Sequence, residues 1–146
     1  PSENASQTKT SGKKAERGDQ KVEIKPEPLY NRALNKFNDR EYEKAKSLWA
    51  EFIENFPEHE LIPNAFFWQG ECFFQMQDYS NAILKYQEVV ENYSDSNKYP
   101  AALLKQGISF YKRDKSKPGK ILLKDLMENF PDTSEAKRAE KFLQKN

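Results

Sequence analysis

The chain is poor in most of the residues that carry chemistry. Cys72 is its one cysteine among 146 residues, so no disulfide can form within the chain. Its neighbours Phe73 and Phe74 predict a buried, inert thiol. His59 is the one histidine, and its polar setting, Pro57-Glu58-His59-Glu60, predicts a surface position. A lone histidine and a lone cysteine in different elements do not make a nucleophile and base, nor the three or four ligands that zinc requires. The five glycines form no phosphate-cradling loop. Acid pairs such as Glu58 and Glu60 fall in links, with no apolar cleft placed around them. No enzyme activity, cofactor or metal site is expected. No apolar run approaches the ~20 residues of a membrane span. Charge of one sign is lacking too: 24 basic residues meet 23 acidic ones. That leaves no broad electrostatic footprint for nucleic acid or an anionic membrane. Because the chain begins at Pro1 without a methionine, a processed product with its targeting signal removed is expected.

What is present is repetition. Sliding the sequence against itself by 37 residues lays Asn55-Phe56-Pro57 on Asn92-Tyr93-Ser94 and then on Asn129-Phe130-Pro131. Pro26 falls on Pro63 and Pro100, Ala33 on Gly70 and Gly107, Ala45 on Ala82 and Gly119, and Phe37 on Phe74 and Tyr111. A self-match at this period signals stacked repeats. Within each repeat, apolar residues recur at helical spacing on two short segments. Tyr42, Ala45, Leu48, Trp49, Phe52 and Ile53 mark one such segment; Tyr79, Ala82, Ile83, Tyr86, Val89 and Val90 mark its counterpart.

The organisation that follows is a disordered linker over 1–27 and a helical domain over 28–146. The linker is rich in Ser, Thr, Lys and Glu and cannot bury enough surface to offset its ordering entropy. Its lysines alternate with acids, as in a solvated tether. Repeats are expected at about 28–57, 62–94 and 99–131, with a cap at 133–145. Asp39 is expected to cap the second helix, and Asp132 with Glu135 to form a capping box for the last. Pro118-Gly119 predicts a helix starting near Ser116 or Lys117 behind the least regular turn of the three. Helices this short are marginal alone, and stacking buries large side chains at roughly 1.5 to 3 kcal/mol each. The small residues at 33, 70 and 107, and at 45, 82 and 119, suit close helix crossings.

Small-to-small spacing, Phe73 three residues after Gly70, Ala82 followed by Tyr86, and Pro57 or Pro131 closing a repeat together resemble the tetratricopeptide repeat. The run Asn64-Ala65-Phe66-Phe67-Trp68-Gln69-Gly70-Glu71, with Asp78-Tyr79-Ser80-Asn81-Ala82 and 101–107, resembles the C-terminal domain of the Tol-Pal system protein YbgF, the cell division coordinator CpoB family. Ser94, where the repeat expects proline, and Pro118-Gly119 depart from the pattern. The resemblance implies an all-α, tetratricopeptide-type right-handed superhelix of three helix-turn-helix repeats and a C-terminal capping helix. It also implies a periplasmic, non-enzymatic scaffold of a Gram-negative bacterium. Such a protein binds a TolA-like periplasmic domain, with a peptidoglycan synthase as a second partner, and coordinates outer-membrane constriction with septal wall synthesis in cell division. Family members trimerise through an N-terminal coiled coil, and this chain contains no heptad segment for one.

In this repeat class the first helices line a concave side. There Tyr30, Leu34 and Phe37, then Asn64, Phe67, Glu71 and Phe74, then Leu104, Lys105, Ile108 and Tyr111 are expected to form a partner-binding groove. Phe66, Phe73, Trp49 and Tyr86 are assigned to the stacking core instead. The competing reading makes the whole aromatic stripe ordinary core. Two other binding roles compete. One is an outer-membrane assembly subunit similar to BamD. The other is an adaptor clamping a C-terminal carboxylate, which Tyr30, Leu34 and Trp68 argue against at the positions where a clamp needs Lys, Arg and Asn.

Overall fold

The computed structural model describes residues 14–17 and 20–146. Among these, seven helices follow one another: α1 (Pro26–Asn38), α2 (Tyr42–Asn55), α3 (Ile62–Gln75), α4 (Tyr79–Asn92), α5 (Tyr99–Lys112), α6 (Ser116–Asn129) and α7 (Ser134–Lys145). Before them β1 (Lys14–Arg17) and β2 (Gln20–Glu23) pair antiparallel, Lys14 opposite Glu23 and Arg17 opposite Gln20. Composition predicts no ordered structure in that stretch, so the ribbon departs from the linker reading. Its pairing is local and needs no core, and a lone two-stranded ribbon is marginal in water. The remainder of the expected linker before β1, and residues 18–19, lie outside the described residues.

The chain divides into two compact units, Pro1–Cys72 and Phe73–Asn146, with the boundary inside α3. In the first, α1 packs on α2 across Ala33 and Ala45, both fully buried. Trp49, Phe52, Phe56 and Ile62 fill the space beside this crossing. Gln69 of α3 is buried and donates Nε2 to the Lys46 carbonyl oxygen of α2 at 3.4 Å.

In the second unit α4 packs on α5, α5 on α6, and α7 against both α5 and α6. Leu103, Leu104, Leu123, Leu126 and Ala139 form its apolar centre, with Tyr99, Phe130 and Phe142 around them. Gln106 stands 37 residues after Gln69 and repeats its bond: Nε2 donates to the Ile83 carbonyl oxygen at 3.2 Å, and to Gln87 Oε1 at 2.7 Å. Lys46 and Ile83 are also 37 residues apart. The buried glutamine is therefore a property of the repeat, tying a first helix to the second helix before it.

The turns inside the pairs are copies of one another. Arg40, Gln77 and Asp114 adopt left-handed φ values of 63°, 61° and 59°. Each is flanked by the same two bonds. Arg40 N–H meets the Phe37 oxygen and Glu41 N–H the Lys36 oxygen; Gln77 and Asp78 do the same with Phe74 and Phe73; Asp114 and Lys115 do so with Tyr111 and Phe110. This is a helix C-terminus closed by a left-handed residue. The third turn is as regular as the others, contrary to the expectation drawn from Pro118-Gly119. Pro118 lies in the first turn of α6, where its missing N–H and fixed φ cost little.

The links between pairs also repeat. His59 Nδ1 accepts from Leu61 N–H at 3.0 Å, Ser96 Oγ from Lys98 N–H at 3.0 Å, and Thr133 Oγ1 from Ala136 N–H at 3.1 Å. His59 is thus not the surface residue its polar neighbours suggested. Its side chain is 10% exposed, edge-on to Phe52 at 5.3 Å, and it fastens the first link. Two caps differ from expectation. Asp39 closes α1 rather than capping α2, whose cap residue, Glu41, makes no side-chain capping bond to the helix backbone. Thr133, not Asp132, caps α7, because Thr133 has the extended backbone that aims its hydroxyl at the third N–H. In the middle repeat Asp78 does cap α4, accepting from Asn81 N–H at 3.3 Å.

Candidate functional site

The candidate site is the stripe of residues that the sequence places on one side of the first helices. Four residues along a helix turn through about 400°, so residues at 30, 34 and 37 share a face. In the first unit Tyr30, Leu34 and Phe37 are all half-exposed on α1. The Tyr30 ring meets Trp49 at 4.8 Å and Phe52 at 5.5 Å, both edge-on. Phe37 meets Tyr42 at 5.2 Å and Trp68 at 5.1 Å in the same way. Each ring is therefore held from behind while part of it stays open. Such edge-to-face contacts contribute about 0.5 to 1.5 kcal/mol beyond burial, so the rings are fixed in place.

On α3 the stripe is not uniform. Asn64 and Glu71 are half-exposed, but Phe67 is buried at 6% exposure, against Trp68 at 5.6 Å between ring centres. Phe67 is core and does not line an open surface. Phe66, assigned to the stack, is the half-exposed member of the pair. The two adjacent rings lie about 100° apart on the helix, and the buried face is the other one from that expected.

In the second unit Phe74, Lys105, Ile108 and Tyr111 are half-exposed, and Leu104 is 0% exposed within the apolar centre. Leu104 is a second correction: it faces Leu123, Leu126 and Ala139 rather than open space. Phe74 is edge-on to Tyr79 at 5.2 Å, and Lys105 Nζ lies 3.7 Å above the Phe74 ring. Tyr111 is edge-on to Phe142 of α7 at 5.0 Å. This cluster offers two braced rings, an aliphatic side chain and a cation.

Titratable groups are few here. Glu41, beside the α1–α2 turn, is hydrogen-bonded to Lys44 at 2.9 Å and lies 3.5 Å from Lys36; that bond, then the two positive charges, lowers its pKa. Burial first, and the charge of Glu71 second, push the Cys72 thiol up to about 12. Such a thiol is a poor nucleophile. Among the described residues no group of three or more His, Cys, Asp or Glu could hold a metal ion, and no helix is long and apolar enough to cross a membrane.

Sequence reasoning passed over two side chains. Leu84 on α4 and Ile121 on α6 are large, apolar and exposed, at 61% and 66%. They are 37 residues apart, and that spacing was the available signal.

A family model described as tetratricopeptide repeat matches residues 29–59, 64–96 and 101–133. Among solved structures, the chain is similar to the Arabidopsis OM64 TPR domain, with 17% identity and a TM-score of 0.68 over 82% of this chain and 94% of that one. It is also similar to the Yersinia enterocolitica type III secretion translocator chaperone SycD, with 18% identity and a TM-score of 0.69 over 99% of this chain and 94% of that one. At these identities the likeness is one of fold. Comparison with curated proteins gives no match.

Proposed function

Because the chain belongs to the tetratricopeptide-repeat family, we propose that it is a protein-interaction scaffold without catalysis of its own, engaging its partner through the half-exposed residues that the first helices carry in each unit. The observation that carries this reading is the bracing of Tyr30, Phe37, Phe74 and Tyr111. Aromatic side chains already fixed in position lose little entropy on binding and commonly form the energetic centre of an interface. A helix or extended peptide is the natural guest.

The finer reading rests on the YbgF/CpoB-like string 64–71. In it the partner is a TolA-like periplasmic domain, with a peptidoglycan synthase as a second one, and the setting is the Tol-Pal system in the periplasm during cell division. Oligomerisation would come from a coiled coil outside this chain.

The test uses half-exposed aliphatic residues that no ring contact holds. Leu34→Asp and Ile108→Ser should weaken binding of a TolA periplasmic domain by about tenfold or more in calorimetry; Ile108 also packs against the apolar centre of the second unit, so the smaller change is made there and circular dichroism checks that each variant is folded. Normal affinity in both variants would remove the stripe as the binding surface. If wild type shows no TolA affinity while pull-downs still capture a protein in a Leu34-dependent way, the Tol-Pal assignment fails and a general adaptor remains. The type III secretion chaperone SycD shows that this fold can serve a chaperone.

A further inference from the structure

In the second unit a cleft of about 290 Å³ opens among α4, α5 and α6, lined by Gln87, Gln106, Phe110, Pro118, Ile121 and Leu122. Apart from the two glutamines, which hydrogen-bond each other, its walls are apolar. The exposed Ile121 stands at its rim. Leu84, also exposed, is one helical turn before Gln87 on the same face of α4.

The fold does not require this chemistry. Two repeats earlier an equivalent cleft exists between α1 and α2, where Lys36, Lys44 and Ser47 stand in place of Phe110, Pro118 and Ile121. The same backbone hollow thus occurs among mostly charged residues in one repeat and mostly apolar residues in another.

Around the apolar version lies the most one-sided charge in the helical part of the chain. Residues 112–124 carry Lys112, Arg113, Lys115, Lys117, Lys120 and Lys124 against the single acid Asp114. All six basic residues are exposed, and none is ion-paired with another described residue. Lys117, Ile121 and Lys124 follow at i, i+4 and i+7, so the exposed apolar side chain has a cation one turn away on either side, with the half-exposed Asp125 beside Lys124. The chain as a whole carries a net charge of only +1, so this is a local concentration.

We propose that this face of α6 and the cleft beside it form a second docking surface, for an acidic peptide segment of a protein partner that seats one apolar side chain against Phe110, Pro118 and Ile121. Charge complementarity selects the acidic guest and accelerates its capture, while the desolvated anchor supplies the affinity. A membrane surface fits less well. It would need a broad apolar helix face, and Ile121 is the one large apolar side chain that α6 exposes. Nucleic acid would need exposed rings for stacking, and Phe110 is half-buried in the cleft.

The surface is separable from the stripe described above. On α5, Phe110 lies two residues, or about 200°, from Ile108. The experiment is fluorescence anisotropy of the whole chain with a labelled synthetic peptide rich in Glu and Asp and carrying one central Phe. Binding is expected at low salt, weaker at high salt. Ile121→Ser, which copies the residue of the first repeat, and Lys117→Glu should each weaken it by about tenfold. Leu34→Asp should leave it unchanged. Unaltered binding by Ile121→Ser, equal binding of a peptide with Ala in place of Phe, or tighter binding of anionic phosphatidylglycerol vesicles or of single-stranded DNA would each overturn the proposal.

Discussion

Gly119 of α6 lies directly against the backbone of Gly107 in α5. A Cβ on Gly119 would stand 2.7 Å from the Gly107 carbonyl oxygen and 2.7 Å from Tyr111 Cδ1. The reciprocal Cβ on Gly107 would meet Leu123 Cδ2 at 2.6 Å and the Gly119 oxygen at 3.2 Å. The third pair therefore crosses with two glycines, where the first uses Ala33 and Ala45.

Gly119→Ala should destabilise the protein by about 1 to 3 kcal/mol, since the obstructing atom belongs to a helix backbone that cannot swing aside. Gly107→Ala should cost less, as its nearest obstacle is a leucine methyl. Urea unfolding of both variants checks the order. Equal stability of Gly119→Ala and wild type would mean the crossing is looser than described.

Gln77→Gly should stabilise by about 0.5 kcal/mol. Residue 77 has φ 61°, a conformation costing a non-glycine residue roughly 1 to 2 kcal/mol, and glycine's greater loss of chain entropy offsets part of the relief. Arg40 adopts the same conformation and should gain as much, whereas Asp114 should gain less, since aspartate tolerates the left-handed region better. The thermal midpoint of single and triple variants would show whether the increments add.

Thr133→Ala should cost about 1 kcal/mol through loss of the cap on α7, whereas Asp132→Ala should be nearly silent. The comparison separates the cap seen in the structure from the one suggested by the Asp132–Glu135 spacing. A larger effect at Asp132 in thermal unfolding would reverse the assignment.

Cys72 should resist thiol reagents in the native protein and react once urea unfolds it. With its pKa raised from 9.0 to about 12, only on the order of one thiol in ten thousand is ionised near pH 8. The sign of the linked stability follows. The folded state holds the proton more tightly, so this contribution is complete below pH 9 and is lost as pH rises from 9 towards 12. Rapid labelling of native protein at pH 8 would contradict the burial.

The period and pairing of the helices were legible because small residues and aromatics recur at the same offset, and periodicity survives modest substitution. The turns were not. Arg40, Gln77 and Asp114 share no side-chain chemistry, and only the aspartate is of a type that favours a left-handed backbone. Phe66 and Phe67 show the limit on the candidate site: adjacent rings each fit a helical stripe, and only the neighbouring helices decide which one is covered. Leu104 was misplaced for the same reason, its partners on α6 and α7 being invisible to local spacing. His59 was misread because its neighbours are polar, although aligning it with Ser96 and Thr133 displays a common acceptor.

That recurring acceptor at 59, 96 and 133 has an evolutionary consequence. A gene segment encoding 37 residues, copied or excised between two such positions, leaves an oxygen or imidazole nitrogen ready to receive an amide two or three residues on, at or just before the start of the next helix. The joints are interchangeable, so lineages could lengthen or shorten this protein by whole modules without inventing a new seam.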